Sequence, residues 1–160
     1  MPSRKHPKIE LGSLVAVPLP DGRFAYARAF ADDTFGVLDV ISDRLLTETE
    51  LIGRPVSFYR AANLDLPVGS GRWPIVGKHP FATKEDAYPP PVATCYVWDS
   101  NEWTMGGIPR IEHRGVSRPA SLDEVRGLDY LSVSPPAHFV TVIVDRLING
   151  NDYKYKVRTE

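Results

Sequence analysis

Residues 71–80 read Gly71-Arg72-Trp73-Pro74-Ile75-Val76-Gly77-Lys78-His79-Pro80. A tryptophan buries a large apolar area, and a proline has no backbone N–H, so it belongs at the start of a strand or at a sheet edge. A glycine can adopt backbone conformations that are closed to other residues. We therefore predict that Trp73, Pro74 and Gly77 anchor a short edge strand and have a structural role.

Upstream of this stretch, the sequence predicts an antiparallel hairpin. Residues 14–19 are mostly apolar, and Pro20-Asp21-Gly22 has the composition of a tight turn. Residues 23–30 then alternate, with aromatic and arginine side chains at the even positions and alanines at 25, 27 and 29. Because alanine is small, this face leaves room for another layer to approach closely.

The remaining elements are predicted from periodicity and from turn residues. Further strands are expected at 35–41, 55–60, 92–98, 103–105 and 108–114, with Asp32-Asp33 as the turn before the first of them. Short helices are expected within 42–53 and 121–131, with residues 61–70 as a loop. Ser121 and Glu124 have the spacing of a capping box at the start of the second helix. Residues 137–149 are ambiguous, because their β-branched content favours a strand whereas their length, the two preceding prolines and Gly150 favour a helix. We predict a helix there.

These elements predict one β-rich α+β domain over residues 1–160. Its core spans about residues 9–150, and residues 1–8 and 151–160 are peripheral. The sheet is expected to be antiparallel and partly barrel-like, with one or two helices, of which the longest lies near the C-terminus. Fifteen prolines and twelve glycines suit such a turn-rich β protein.

Composition narrows the class of protein. The net charge of −1 gives no electrostatic reason to expect nucleic acid or an anionic membrane as a partner. The first twelve residues are polar and basic and lack the apolar run of a signal peptide, and no stretch approaches the length of a membrane span. A cytoplasmic protein is the simplest expectation.

The sequence shows no catalytic or metal-binding motif. The histidines at 6, 79, 113 and 138 are far apart, and none has a second ligand at the spacing of a metal site. Cys95 is the single cysteine, and a free cysteine within a strand is usually a small buried hydrophobe. Gly69-Ser70-Gly71 lacks the flanking pattern of a nucleophile elbow. We expect no enzyme activity, cofactor or metal.

Two acidic turns are candidate partner-binding sites. Trp98, Asp99, Glu102 and Trp103 surround the turn of the hairpin predicted at 92–105, and tryptophan is common among interface hot spots. Alternatively, the two tryptophans pack as a cross-strand pair in the core. A weaker candidate is Glu85-Asp86, beside Tyr88. All six residues are predicted only as contacts with a protein partner.

The run from Gly12 to Phe30 resembles the opening hairpin of the immunity protein 26 family. Gly36-Val37-Leu38-Asp39-Val40 and Gly53-Arg54-Pro55-Val56 are similar to strands of that family, and residues 71–80 are similar to its Trp-Pro-x-x-Gly signature. The resemblance covers about residues 9–150. Ser13 stands where the family has an acidic residue, and residues 81–118 depart most from the family pattern.

The resemblance implies a non-enzymatic protein of a bacterial polymorphic toxin system. Such a protein binds a cognate toxin domain and blocks it, and the family offers no established catalytic or metal residues to carry over. Two alternatives stay open at this point. The first is a small β-barrel module that binds nucleic acid, because aromatic and basic residues occur together at 23–28 and 153–155, as they do on β-barrels that bind single strands. The second is an unrecognised small enzyme.

Overall fold

A computed structural model describes residues 6–94, 96–99, 102–105, 109–125, 127–129 and 131–151. Its strands are β1 (Ser13–Pro18), β2 (Phe24–Ala29), β3 (Thr34–Leu38), β4 (Val56–Ala62), β5 (Ile75–Lys78), β6 (Val92–Ala93), β7 (Tyr96–Asp99), β8 (Glu102–Met105), β9 (Arg110–His113), β10 (Val116–Pro119) and β11 (Val133–Ser134). The helices are α1 (Glu48–Leu51), α2 (Asp65–Gly69), α3 (Leu122–Val125) and α4 (Pro136–Ile143). One π-helical turn (Val144–Ile148) continues α4, and a 3₁₀ turn spans Glu85–Ala87.

The strands form one large sheet and two small ones. The large sheet has the order β11-β4-β3-β2-β1-β5, and all of its pairs are antiparallel except β11 with β4. The others are β10-β9-β6 and the hairpin β7-β8. This confirms the β-rich α+β class, and α4 confirms the prediction of the longest helix near the C-terminus. The predicted barrel-like character is not found: within the described residues the large sheet is open, because its edge strands β11 and β5 pair with β4 and β1 and not with each other.

The predicted hairpin is β1 paired with β2, and both of its faces are covered. In β2, Tyr26 belongs to a cluster with Leu14 and Leu51 on one face. The alanines of β2 belong to the opposite cluster, which also contains Trp73 and Phe139. The prediction of a second layer over the alanine face is thus confirmed, and the layer is α4.

Trp73 and Pro74 hold the positions predicted for them. Trp73 is 9% exposed, and its ring lies 6.4 Å from that of Phe139, centroid to centroid. Pro74 directly precedes β5, the edge strand, and its carbonyl oxygen accepts a hydrogen bond from Ala16 N at 2.9 Å. The reason given for Gly77 was wrong, because this glycine does not have the positive φ of the left-handed region. Its role comes from a close contact with Glu48.

Residues that follow the edge strand are fastened by Arg28 of β2. Its guanidinium donates hydrogen bonds to the His79 carbonyl oxygen, at 2.7 and 3.0 Å, and to the Pro80 carbonyl oxygen at 3.0 Å. The same group lies 3.8 Å from the ring centroid of Phe81. The predicted structural stretch therefore extends beyond its strand.

Several local predictions differ from the structure. The helix within 42–53 starts only at Glu48, after a capping box on Thr47, because Ser42 is held by a backbone bridge to Phe24. Residues 61–70 are not a loop throughout, since they contain α2. The helix at 121–131 is shortened to α3, although the predicted capping box between Ser121 and Glu124 is present. Cys95 and residues 152–160 lie outside the described part of the chain.

Candidate functional site

The turn between β2 and β3 carries two adjacent aspartates, Asp32 and Asp33. Both are exposed and both have positive φ, 59° and 51°. Phe30 N donates to Thr34 O at 2.8 Å, and Thr34 N to Ala31 O at 3.4 Å. Residues 31–33 therefore connect the two strands, and Asp32 and Asp33 are the central residues of a β-turn from Ala31 to Thr34. Both adopt the left-handed conformation, which aspartate tolerates better than most residues. The two carboxylates are therefore held at one end of the large sheet.

One side of this turn borders a cavity of about 390 Å³, which we call the acidic groove. Its buried lining is apolar: Ala29, Phe30, Phe35, Ala62 and Leu64. Two exposed apolar side chains, Leu11 (52% exposed) and Val133 (63%), also line it. Its carboxylates are Glu10, Asp32, Asp33 and Asp65. The groove thus combines an apolar floor with an acidic margin, and no lysine, arginine or histidine is among its lining residues.

The four carboxylates differ in their partners. Glu10 accepts from Lys78 Nζ at 2.9 Å, and this hydrogen bond and charge lower the pKa of the Glu10 carboxyl. Across the described residues, Asp32, Asp33 and Asp65 form no ion pair. The charge of these three aspartates is therefore available to a partner.

The other side of the turn borders a second cavity, of about 400 Å³, in which the buried cation is Arg60. Arg60 Nε donates to Ser134 Oγ at 2.8 Å, and its Nη2 lies 3.0 Å from Nε2 of His138. Burial and the Arg60 charge lower the pKa of His138. These bonds tie β4, β11 and α4 together. Ser134 and His138 both face Arg60 rather than each other, so this arrangement is not that of a nucleophile with its base.

No group of three His, Cys, Asp or Glu residues in the described part of the chain could hold a metal ion. Of the helices described, none has the length and hydrophobicity needed to cross a membrane.

A comparison with known protein families identifies the family of this chain. The model of the family described as immunity protein 26 matches residues 10–104, more than half of the 160 residues. The chain belongs to the immunity protein 26 family. The match runs from just before β1 into β8 and includes the Trp73-Pro74 stretch. No curated protein and no solved structure matches the chain.

In this immunity protein 26 family member, the hairpin predicted at 92–105 is present only as β7 and β8, because residues 92–93 form β6, which pairs with β9 instead. Trp98 lies opposite Trp103 in the register of β7 and β8, and Asp99 lies opposite Glu102. The backbone thus brings these four residues together at the end of one hairpin. Their assignment as partner contacts stays a prediction, as does the alternative of a cross-strand tryptophan pair.

Glu85 and Asp86, the other predicted pair, lie exposed on the 3₁₀ turn. Ala31 N donates to the Ala87 carbonyl oxygen at 2.7 Å, which fastens this turn to the residue that precedes Asp32. The structure therefore brings the Glu85-Asp86 turn to the same end of the sheet as the Asp32-Asp33 turn. Sequence reasoning recognised Asp32-Asp33 only as a turn. The available signal was two successive acidic residues in a tight hairpin, where their side chains remain outside the core.

Proposed function

We propose that this protein binds a cognate toxin domain of a bacterial polymorphic toxin system and neutralises it without catalysis, in the cytoplasm. The observation that carries the proposal is the family match over residues 10–104. A protein of this kind acts by covering its partner, so it needs a stable scaffold and an exposed surface of suitable chemistry.

The described structure is consistent with such a role. Buried polar side chains form hydrogen bonds inside the fold. Arg60 donates to Ser134. Tyr26 Oη lies 2.7 Å from Ser42 Oγ and accepts a hydrogen bond from Leu46 N at 2.9 Å. Candidate partner-binding residues are instead found on exposed turns, including Glu85 and Asp86. An interface of ordinary size, with about 800 Å² from each partner, would join several such turns.

The test is neutralisation of a toxin encoded next to this protein. Cells that express the toxin domain should survive when this chain is co-expressed, and the two purified proteins should form a complex by calorimetry and size-exclusion chromatography. An unrelated toxin domain serves as the specificity control and should still kill. If every adjacent toxin domain kills in the presence of the folded protein, and no complex forms, the proposal is wrong.

A further inference from the structure

We propose that the acidic groove receives an arginine or lysine side chain of the toxin, carried on a segment whose neighbouring residues are apolar. This inference rests on the proposed function, since it assigns a partner chemistry to one part of the toxin-binding surface. The groove is defined by its apolar floor, the exposed Leu11 and Val133, and the carboxylates that line it.

The shape and lining of the groove suit a long cationic side chain. Its volume of about 390 Å³ lies in the range of pockets that enclose a ligand group. Lysine and arginine have aliphatic stems that pack on apolar surface while their charged ends reach polar groups. In the groove, Phe30, Phe35 and Leu64 supply the apolar surface. Asp32, Asp33 and Asp65 supply acceptors at its margin.

Charge complementarity selects a cation as the occupant. The three aspartates have no ion-pair partner among the described residues, and no basic residue lines the groove. The whole chain carries a net charge of only −1. Asp32 and Asp33 also line the neighbouring cavity, together with Arg60 and Arg114, so the excess of negative charge is a property of the groove side of the turn. A guanidinium can bond a carboxylate through two parallel N–H groups, whereas an acidic partner segment would be repelled.

The exposed apolar residues of the groove indicate that the partner segment carries apolar side chains beside its cationic one. Leu11 and Val133 project from separate parts of the chain, residues 9–11 and β11, and both line the groove. Covering them would remove apolar surface from water, which favours a partner segment with apolar residues beside the cation. The hydrogen-bonded turn holds the backbone of Asp32 and Asp33 before binding, so only their side chains would have to be ordered on association.

The experiment compares neutral variants in the full-length protein. Asp32→Asn with Asp33→Asn removes two charges while keeping residues that tolerate the left-handed conformation. The matched control is Asp39→Asn with Asp43→Asn, two exposed aspartates that follow the opposite end of β3. With the cognate toxin, the groove variant should bind roughly tenfold to a hundredfold more weakly. The control should stay within about twofold, a change typical of residues outside the energetic centre of an interface.

Two further variants keep the proposal testable if the turn variant does not fold. Asp65→Asn removes a groove carboxylate on α2, outside the turn. Val133→Lys places a competing cation at the groove margin. Both variants should weaken toxin binding, and the lysine variant should weaken it more. An alanine scan of the toxin's arginines and lysines should identify one residue whose loss is not additive with Asp32→Asn and Asp33→Asn.

The outcomes separate this inference from the proposed function. If the wild-type protein neutralises the toxin and the groove variants bind within twofold of it, the inference is overturned while the proposed function stands. The same conclusion follows if the loss of every arginine and lysine of the toxin is additive with the groove variant. If the wild-type protein neutralises no adjacent toxin, the proposed function itself fails.

Discussion

Glu48 occupies the space that a side chain at Gly77 would need. A Cβ placed on Gly77 would lie 2.5 Å from Glu48 Cβ and 2.7 Å from its Cγ and Oε2. Glu48 Oε2 also accepts a hydrogen bond from Lys78 N at 3.0 Å. The glycine of the Trp-Pro-x-x-Gly stretch thus lets the first helix dock against the edge strand.

Replacing Gly77 with alanine should therefore destabilise the fold by about 1–3 kcal/mol, because the overlap is with the base of the Glu48 side chain. The measurement is urea unfolding followed by circular dichroism. Gly69→Ala is the matched control, since a Cβ at Gly69 meets nothing within 4 Å and its φ is not positive. Equal stabilities for the two variants would contradict the proposed role of Gly77.

Trp73→Ala should lower the free energy of unfolding by roughly 3–5 kcal/mol. The side chain is buried against Phe139, so its removal leaves a cavity between the sheet and α4. Trp73→Phe fills part of this space and should cost less. If thermal and urea unfolding place both variants near the wild type, Trp73 is not part of the core.

Ser134→Ala should cost about 1–3 kcal/mol, because it leaves the buried Arg60 Nε without its acceptor at 2.8 Å. The control is Ser132→Ala, two residues earlier, for which no hydrogen bond is found among the described residues. That change should stay within about 0.5 kcal/mol. A similar loss in both variants would argue against a specific Arg60–Ser134 bond.

The stability of the fold should fall as the pH falls below about 6.5, the ordinary pKa of histidine. Burial and Arg60 lower the pKa of His138, and burial and Arg28 lower that of His79. Between the unfolded-state and native-state pKa values the unfolded chain binds protons that the native state does not, so the loss of stability grows as the pH falls below about 6.5 and is complete once the pH is below the native-state pKa values. The contribution of each histidine is fully favourable only above pH 6.5.

His138→Gln should weaken this dependence without abolishing it, since His79 titrates in the same direction. Urea midpoints at pH 5.5 and 7.5 measure the effect. His6→Gln, at an exposed position, is the control and should leave the dependence unchanged. A wild-type stability that rises on acidification over this interval would contradict the argument.

Changing Asp99 and Glu102 to lysine should leave folding intact and weaken toxin binding, if the hairpin end contacts the toxin. The two positions are opposite each other in the register of β7 and β8. Calorimetry with the toxin measures affinity, and circular dichroism checks the fold. Unchanged affinity would place the interface elsewhere.

Local sequence signals predicted the parts of the fold that local interactions determine. The β1–β2 hairpin was recognised because its turn residues and alternation occur within one stretch, and the capping box at Ser121 because it spans four residues. The helix α2 was missed, since it contains Pro67 and ends at Gly69, both typical of loops.

The acidic groove could not be predicted in the same way. It combines Leu11, the Asp32-Asp33 turn, Asp65 and Val133, which are separated by up to about 120 positions in the sequence. Val133 reaches the groove because β11 pairs in parallel with β4, and a two-residue strand has no periodicity to detect. The family resemblance identified the kind of protein but carries no information on this long-range assembly.

The boundary of the family match is not a boundary of the folding unit. The match ends at residue 104, yet the sheet face that contains Trp73 is completed by Phe139, Val142 and Ile143. During synthesis, a nascent chain that has emerged only as far as residue 104 would lack these three side chains, so part of that sheet face would still be exposed to water. Such a nascent chain would be exposed to aggregation until α4 emerges. A fragment cut at the family boundary would keep the signature stretch and lose the layer that buries it.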